Sequence, residues 1–342
     1  MRNARIKDVA EHAGVSVATI TRVVNNSGYV SEKTRQQVLR SIETLGYIPN
    51  RMASALKNNS TRIIGHVIPY VDINPFFVSV GASVSRHAQL HDYHILTVAT
   101  GNDREVENSL IKDLMSRMVE CIIFTGNATF NPKNIEAVMD KNIPVIMIER
   151  PLDILGVDKL LINDIEGSSI ATKQLLFHGH TNIGFIGMHC RESVEINRYE
   201  GFRRTLEQHG ISVDGKNIVF VEDYQTHMGY EAAKQLFSNP GRKNMPTAIF
   251  FASDILACGG LQYMYNVGIR IPDDISVVGY DNTLSSVSCP PISSVAFPID
   301  EIGKTVIDMF IERRDGERNF SKSVELSPFF ENRNSIAELK KK

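Results

Sequence analysis

Residues 14–25, GVSVATITRVVN, carry the side chains best suited to chemistry with a partner. Wound at about 100° per residue, Ile20, Val23 and Val24 fall within one arc and make an apolar face. Val17, Ala18, Thr21, Arg22 and Asn25 fill a separate arc, with Ser16 just ahead as an N-cap. A guanidinium, a hydroxyl, a carboxamide and small methyl-bearing groups on one face suit contact with a structured partner better than plain solvation. Catalytic patterns do not compete with this reading. The chain contains no GxGxxG, GxxxxGK[ST], GxSxG or HExxH, so neither an enzyme nor a cofactor is expected. RHAQLHDYH sets His87 and His91 at i, i+4 with His94 beyond, a spacing that could hold a metal. It reads instead as the polar face and frayed end of a surface helix, and HGH at 178–180 as a helix stop and turn.

The elements around that face form a small basic head. Ile6, Val9, Ala10 and Ala13 give a first helix one apolar side, and Gly14 permits a tight turn into the second. A third helix is expected from about Ser31 to Leu45, with Val38, Leu39, Ile42 and Leu45 inward and Gly46 as its stop. Residues 1–62 hold ten Lys/Arg against four acids, a net +6, whereas the remainder carries −8. A basic head on an acidic body is the charge pattern of a nucleic-acid-binding module, although a trihelical module can also dock protein. After Pro49, Asn50 could cap a short helix holding Ala53, Ala55 and Leu56, too short to stand alone in water.

From Arg62 onward, ten apolar runs alternate with helical stretches: IIGHVIP, YHILTVA, CIIFTG, PVIMIE, KLLIND, IGFIGM, NIVFVE, TAIFFAS, ISVVGYD and SSVAFP. Continuous β-branched runs at this spacing predict parallel sheets covered on both faces. Ten strands suggest two α/β lobes, with the chain passing between them near Ile162, Pro290–Pro291 and Ser323. Ligands of open α/β sheets bind beyond the carboxyl ends of the strands, which here means an interlobe cleft. No apolar run reaches the ~18 residues that span a bilayer, and the four cysteines show no CxxC spacing. A cytoplasmic setting without membrane association is expected.

IKDVAEHAGVSVATITRVVNNS, VSEKTRQQVLRSIETLGYIPN, NPFF at 74–77, NRYEGF at 197–202, ASDILACG at 252–259 and IPDDISVVGYDN at 271–282 carry a resemblance over essentially the whole chain. The sequence resembles the lactose/galactose repressor family. That resemblance implies an N-terminal all-α helix-turn-helix DNA-binding domain (1–48), a hinge helix or linker (49–60) and an α/β two-lobed, periplasmic-binding-protein-like sensor body (61–342). Its first lobe would comprise about 61–162 and 291–322, its second 163–290 and 323–342. The implied partners are a palindromic double-stranded DNA operator, a second copy of the chain and a small-molecule effector, a sugar or sugar acid. The competing reading is a sugar-binding or sugar-processing protein whose head contacts protein.

The resemblance also implies roles. Val17, Ala18 and Arg22 would reach base edges in the major groove, while Ser16, Thr19, Thr21, Asn25, Thr34 and Arg35 hold phosphates and set register. Hinge residues Ala53 and Leu56 would enter the minor groove, Leu56 as an unstacking wedge; Ser54 stands where many relatives carry Arg. In the cleft, Arg198 and Asp281 match a ligand-binding arginine and its facing acid. Asn74, Phe76, Phe77, Glu149, Tyr224 and Ser253 fall at further effector-binding positions, Ser253 replacing a frequent Asn, and ND at 163–164 reads as a reversed DN. Exchanging Val17 and Ala18 for other small residues should change which duplex is selected from a random pool. Nonspecific affinity should stay within about twofold, because phosphate contacts supply that term.

Overall fold

A computed structural model describes residues 4–24, 27–48, 60–70, 74–126, 132–150, 154–189, 193–238 and 245–339. The chain divides into two compact units, residues 1–61 and 62–342. In the first, α1 (Ile6–His12), α2 (Val17–Val24) and α3 (Glu32–Leu45) enclose Val9, Ala10, Ala13, Ile20, Val23 and Val38. Gly14 at φ 59° makes the turn between α1 and α2. The Ser16 hydroxyl accepts from the Thr19 N–H at 3.2 Å and caps α2, and the Ser31 hydroxyl accepts from Thr34 N–H to start α3. Leu39 departs from expectation, remaining 45% exposed. Val38, Ile42 and Leu45 fix the inward stripe, and a residue about 100° from Val38 falls off its flank. On the other flank Ser41 is buried, its hydroxyl bonded to His12 Nδ1 at 3.0 Å and donating to the Gln37 carbonyl. Gln37 Nε2 in turn donates to the Ala13 carbonyl.

The second unit begins β1 (Ile63–Ile68), α4 (Pro75–Gln89), β2 (His94–Ala99), α5 (Arg104–Ser116), β3 (Cys121–Thr125), α6 (Pro132–Met139), β4 (Val145–Ile148) and β5 (Asp158–Ile162). It continues α7 (Asp164–Phe177), β6 (Ile183–Met188), α8 (Ser193–Gln208), β7 (Ile218–Val221), α9 (Thr226–Phe237), β8 (Ala248–Phe251), α10 (Asp254–Asn266) and β9 (Ser276–Asp281). It closes with β10 (Ser293–Ala296), α11 (Ile299–Arg314), β11 (Ser323–Leu326) and β12 (Phe329–Glu331). Two sheets result, ordered β11-β5-β4-β3-β1-β2 and β12-β10-β9-β8-β6-β7. Every pairing is parallel except β10 with β12. Strands covered by helices on both faces explain the unbroken apolar runs: β3, β4, β8 and β9 are buried along their whole length.

Each of the ten predicted runs contains a strand, but two of the three expected crossings move. β10 pairs with β9 in the second sheet, so the chain leaves that lobe at Phe297–Pro298 and not at Pro290–Pro291. β11 pairs with β5 in the first sheet, so the last crossing follows Leu326 and not Ser323. The lobes therefore comprise 62–162 with 298–326, and 163–297 with 327–339, in place of the expected 291–322 and 323–342 pieces. Prolines mark a local break in hydrogen bonding, not a change of sheet, and β11 and β12 are short edge strands without an apolar run. Among the described residues no helix is long and apolar enough to cross a membrane.

Helix pairs approach closely at glycines. A Cβ on Gly259 of α10 would lie 1.9 Å from the Thr226 carbonyl oxygen of α9, a backbone atom that cannot rotate away. Gly259→Ala should therefore destabilise the chain by roughly 1–3 kcal/mol through overpacking, despite alanine's better helix propensity. Gly215→Ala, with open space around its Cβ, should change stability by less than about 0.5 kcal/mol. Urea unfolding of both variants is the measurement.

Candidate functional site

On the head, the expected contact residues separate by what they already do. Val17, Ala18 and Arg22 are exposed on one side of α2, opposite buried Ile20 and Val23. The stem of Arg22 runs beside Gly28, whose notional Cβ would sit 3.7 Å from Arg22 Cδ. Ser16 and Thr19 hydroxyls bond each other at 3.0 Å, and Thr21 donates to the Val17 carbonyl within the helix. Thr34 is half-buried with its hydroxyl 2.8 Å from Ser31 Oγ, and Arg35 follows it on α3. The hydroxyls thus brace the helix ends, leaving apolar and guanidinium groups as the outward chemistry. Asn25, Ala53 and Leu56 lie outside the described residues.

In the body the loops beyond the strand carboxyl ends converge on a cavity of about 130 Å³ between the lobes. Seven of the eight expected cleft residues line it: Asn74, Phe76, Phe77, Glu149, Arg198, Tyr224 and Asp281. Ser253 lies behind, donating its hydroxyl to Asp281 Oδ2 at 2.8 Å. Arg198, on α8, is buried at the floor. Its Nε donates to Asp164 Oδ1 at 2.9 Å and its Nη1 to the Ala252 carbonyl at 2.7 Å, with Asp281 Oδ1 3.1 Å away. The guanidinium carbon stands 4.2 Å from the Tyr280 ring centroid, and the Tyr280 hydroxyl donates to the same Asp164 oxygen.

First-lobe residues form the opposite wall. Asn74 caps α4 by accepting from the Phe76 N–H at 2.9 Å, so part of its polarity is structural. Phe76 meets Phe297 edge-on at 5.2 Å. Phe77 packs over Gly126, where a Cβ would intrude to 2.5 Å. Glu149, at φ 58° after β4, accepts from the Ile162 N–H at 2.5 Å and thereby ties β4 to the end of β5. Tyr224 lines the cavity, and its hydroxyl is buried without a hydrogen-bond partner. Tyr70, Glu195, Asp223 and Phe297 also line the cavity and were not anticipated. Asp164 shows in the sequence only as half of an inverted dipeptide. Its partner on α8 is distant in sequence, so no local pattern reveals it.

Three carboxylates share one buried cation, and their titration reflects it. Burial pushes Glu149 well above the carboxylate range, with the Asp164 charge adding and Arg198 opposing. Asp164 is raised by burial against the pull of Arg198 and Tyr280. Burial carries Asp281 up to about 7, Arg198 again opposing. Arg198 is held well above its ordinary value because the Asp281 and Asp164 charges outweigh its desolvation.

Comparison with known proteins agrees with this geometry. Residues 5–50 match the model for bacterial regulatory proteins of the lacI family, and 172–336 that for the periplasmic binding protein-like domain. The chain is 35% identical to the HTH-type transcriptional regulator DegA of Bacillus subtilis, over 98% of each. It is 31% identical to the ribose operon repressor of Haemophilus influenzae, over 98% of this chain and all of that one. The chain belongs to the lacI family of bacterial regulatory proteins. A lac repressor dimer bound to operator and the anti-inducer ONPF shares the fold, with a TM-score of 0.80 at 24% identity over 98% of this chain and all of that one. As a lacI-family member the protein is a ligand-responsive, DNA-binding transcription regulator.

The raised Asp281 value has a signed consequence for this regulator. A carboxylate bound to its proton more tightly when folded adds stability below its unfolded value near 3.8, and that contribution is lost as pH rises towards 7. The stability difference, wild type minus Asp281→Asn, should therefore fall between about pH 4 and pH 7 and level off above. Denaturant unfolding of both proteins at matched pH measures it; a flat difference would show that Asp281 is ionised throughout.

Proposed function

We propose that the chain is a dimeric repressor that binds a pseudo-palindromic operator and takes a small neutral polyhydroxylated effector, a sugar, in its interlobe cleft. One observation carries the choice of effector: Arg198 is already bonded to Asp164 and close to Asp281. The other charged side chains lining the cavity are Glu149, Glu195 and Asp223, all acidic. A sugar acid would bring a further anion to a cation that is already compensated. A neutral sugar's hydroxyls instead find carboxylates and the open Tyr224 hydroxyl, and its apolar face finds Phe77 and Tyr224.

On the DNA side, α2 would lie in the major groove with Arg22 gripping a guanine O6/N7 edge, a contact worth roughly 1–3 kcal/mol of discrimination. Val17 and Ala18 would select by apolar fit. The +6 head supplies the counterion-release term, and the −8 of the rest of the chain keeps other surfaces off the duplex. Effector and operator then change each other's affinity by the same factor, typically 5–150-fold. The site of action is the bacterial cytoplasm, where DNA and imported sugar meet.

A thermal-shift screen of matched pairs, glucose with glucuronate and galactose with galacturonate, extended to ribose and other pentoses, tests the effector class. Neutral members should raise the midpoint and their acids should not; the reverse order would overturn the charge argument. Arg198→Ala should abolish the effect of the stabilising sugar on operator binding while leaving sugar-free operator binding near wild type. Loss of both would make Arg198 a structural pair only.

A further inference from the structure

Two helices start at the cleft and end at the place where the body's chain begins. α4 starts beside Phe76 and Phe77, and α11 starts two residues after Phe297, all three cavity-lining. Their cleft ends are joined by the Phe76–Phe297 contact at 5.2 Å. Further along, Gly303 is pressed on Ser83 so closely that a Cβ would lie 2.2 Å from its hydroxyl, and Arg86 in the last turn of α4 reaches Asp300 in the first turn of α11 at 3.0 Å. At the far end, Tyr93, four residues beyond α4, meets Phe310 of α11 edge-on at 5.0 Å. The pair forms a strut whose longer member, α11, is about 24 Å long for its 16 residues.

Beyond the strut sits Arg62, the first residue of the body. Its φ of 56° is left-handed, a conformation that a non-glycine residue holds only when its surroundings fix it. Here its N–H donates to Glu120 Oε1 at 2.7 Å, and its guanidinium carbon stands 5.1 Å from the Tyr93 ring centroid. The Tyr93 hydroxyl donates to the other Glu120 oxygen at 2.5 Å, and Arg314, the last residue of α11, lies 5.6 Å from the same ring. Tyr93 is 1% exposed, and through Glu120 it is linked to the backbone N–H of Arg62.

We propose that Tyr93, Glu120, Arg62 and Arg314 form a clamp through which the cleft sets the direction in which the chain leaves the body. Tyr93 is its positioning residue, touching neither effector nor DNA. The clamp is the mechanical counterpart of the regulator reading above and rests on it. Linkage runs both ways, so holding the far side of the clamp on DNA must alter the cleft end of the strut.

The test uses the full chain and a palindromic duplex that the wild type itself selects from a random pool. Hydrogen exchange is followed in peptides covering 298–303 and 74–78, with and without duplex. In the wild type the duplex should slow exchange at 298–303. Tyr93→Phe keeps the ring and removes the hydroxyl; it should retain a midpoint within a few degrees of wild type and lose at least fivefold of that slowing. A purely structural tyrosine would lower the midpoint and leave the duplex-dependent change intact. Should Tyr93→Phe fail to fold, Arg314→Gln carries the same expectation. Arg270→Ala, which breaks an exposed pair with Asp273 and Asp274, should behave as wild type. A folded Tyr93→Phe with undiminished slowing, or a wild type without any, overturns the clamp alone. Failure of the wild type to select any duplex overturns the regulator reading, and the clamp with it.

Discussion

A buried guanidinium needs partners for its donors, and Arg198 finds them in three separate segments that follow or end strands of both sheets. Asp164 starts α7 just after the first crossing, Ala252 follows β8, and Asp281 ends β9. β8 and β9 are parallel neighbours, so Ala252 and Asp281 reach the same end of the second sheet, and Asp164 arrives there from the first sheet by the crossing after β5. The charge count is deliberately uneven in its effect. One cation among Glu149, Asp164 and Asp281 leaves negative charge in excess, so burial raises all three carboxyls even beside an arginine. The cleft floor is therefore ordered before any ligand arrives, and its protonation is open to change when one does.

How much of this was legible depended on whether the signal was local. The runs of β3, β4, β8, β9 and β10 were legible because a strand buried on both faces has no choice but apolar side chains, and those of the edge strands β2 and β7 because β-branched and apolar residues still dominate them. β11 and β12 escaped because stretches of four and three residues that mix Ser and Glu with apolar side chains leave no local mark of the sheet they join. The crossings near 290 and 323 were misplaced for the same reason: sheet membership is a pairing between distant segments, and prolines do not encode it. On α3, amphipathic spacing found Val38 and Ile42 but took in Leu39, while Ser41 occupies the core through a bond to His12 that no periodicity shows. The expected cleft residues came from a resemblance whose motifs are short and contiguous. Asp164 and Tyr70 act through distant partners, and the sequence alone had no means of joining them.

The head and body divide their physics unequally. The head has a core of a few small aliphatics and is tied by polar links such as Gln37 to the Ala13 carbonyl. Thr21 spends its hydroxyl on its own helix and Thr34 on Ser31. What remains outward on α2 is a surface of Val17, Ala18 and Arg22, two short side chains beside one long cation. The body, by contrast, carries the acidic excess and therefore contributes repulsion, not affinity, towards a phosphate backbone. Affinity and regulation are thus assigned to different parts of one chain, and a mechanical link between them is required.

The fold narrows where that link can bend. α4 and α11 are packed closely where Gly303 meets Ser83, and the Ser83 hydroxyl donates to the Asp300 carbonyl. The chain is thin only at the three crossings. Two of these are pinned laterally: Asn163 donates to Glu325 at 3.2 Å, and Ser327 to Glu166 at 2.8 Å. The third, at Phe297, is wedged by aromatic faces, Phe76 from one lobe and Tyr280 from the other. Tyr280 in turn lies under Arg198 and donates to Asp164. Any ligand that changes how Arg198 is shared therefore acts on the ring that seats Phe297. Phe297 is also the residue from which α11 departs, so the chemistry of the cleft and the angle of the helix are set at one position.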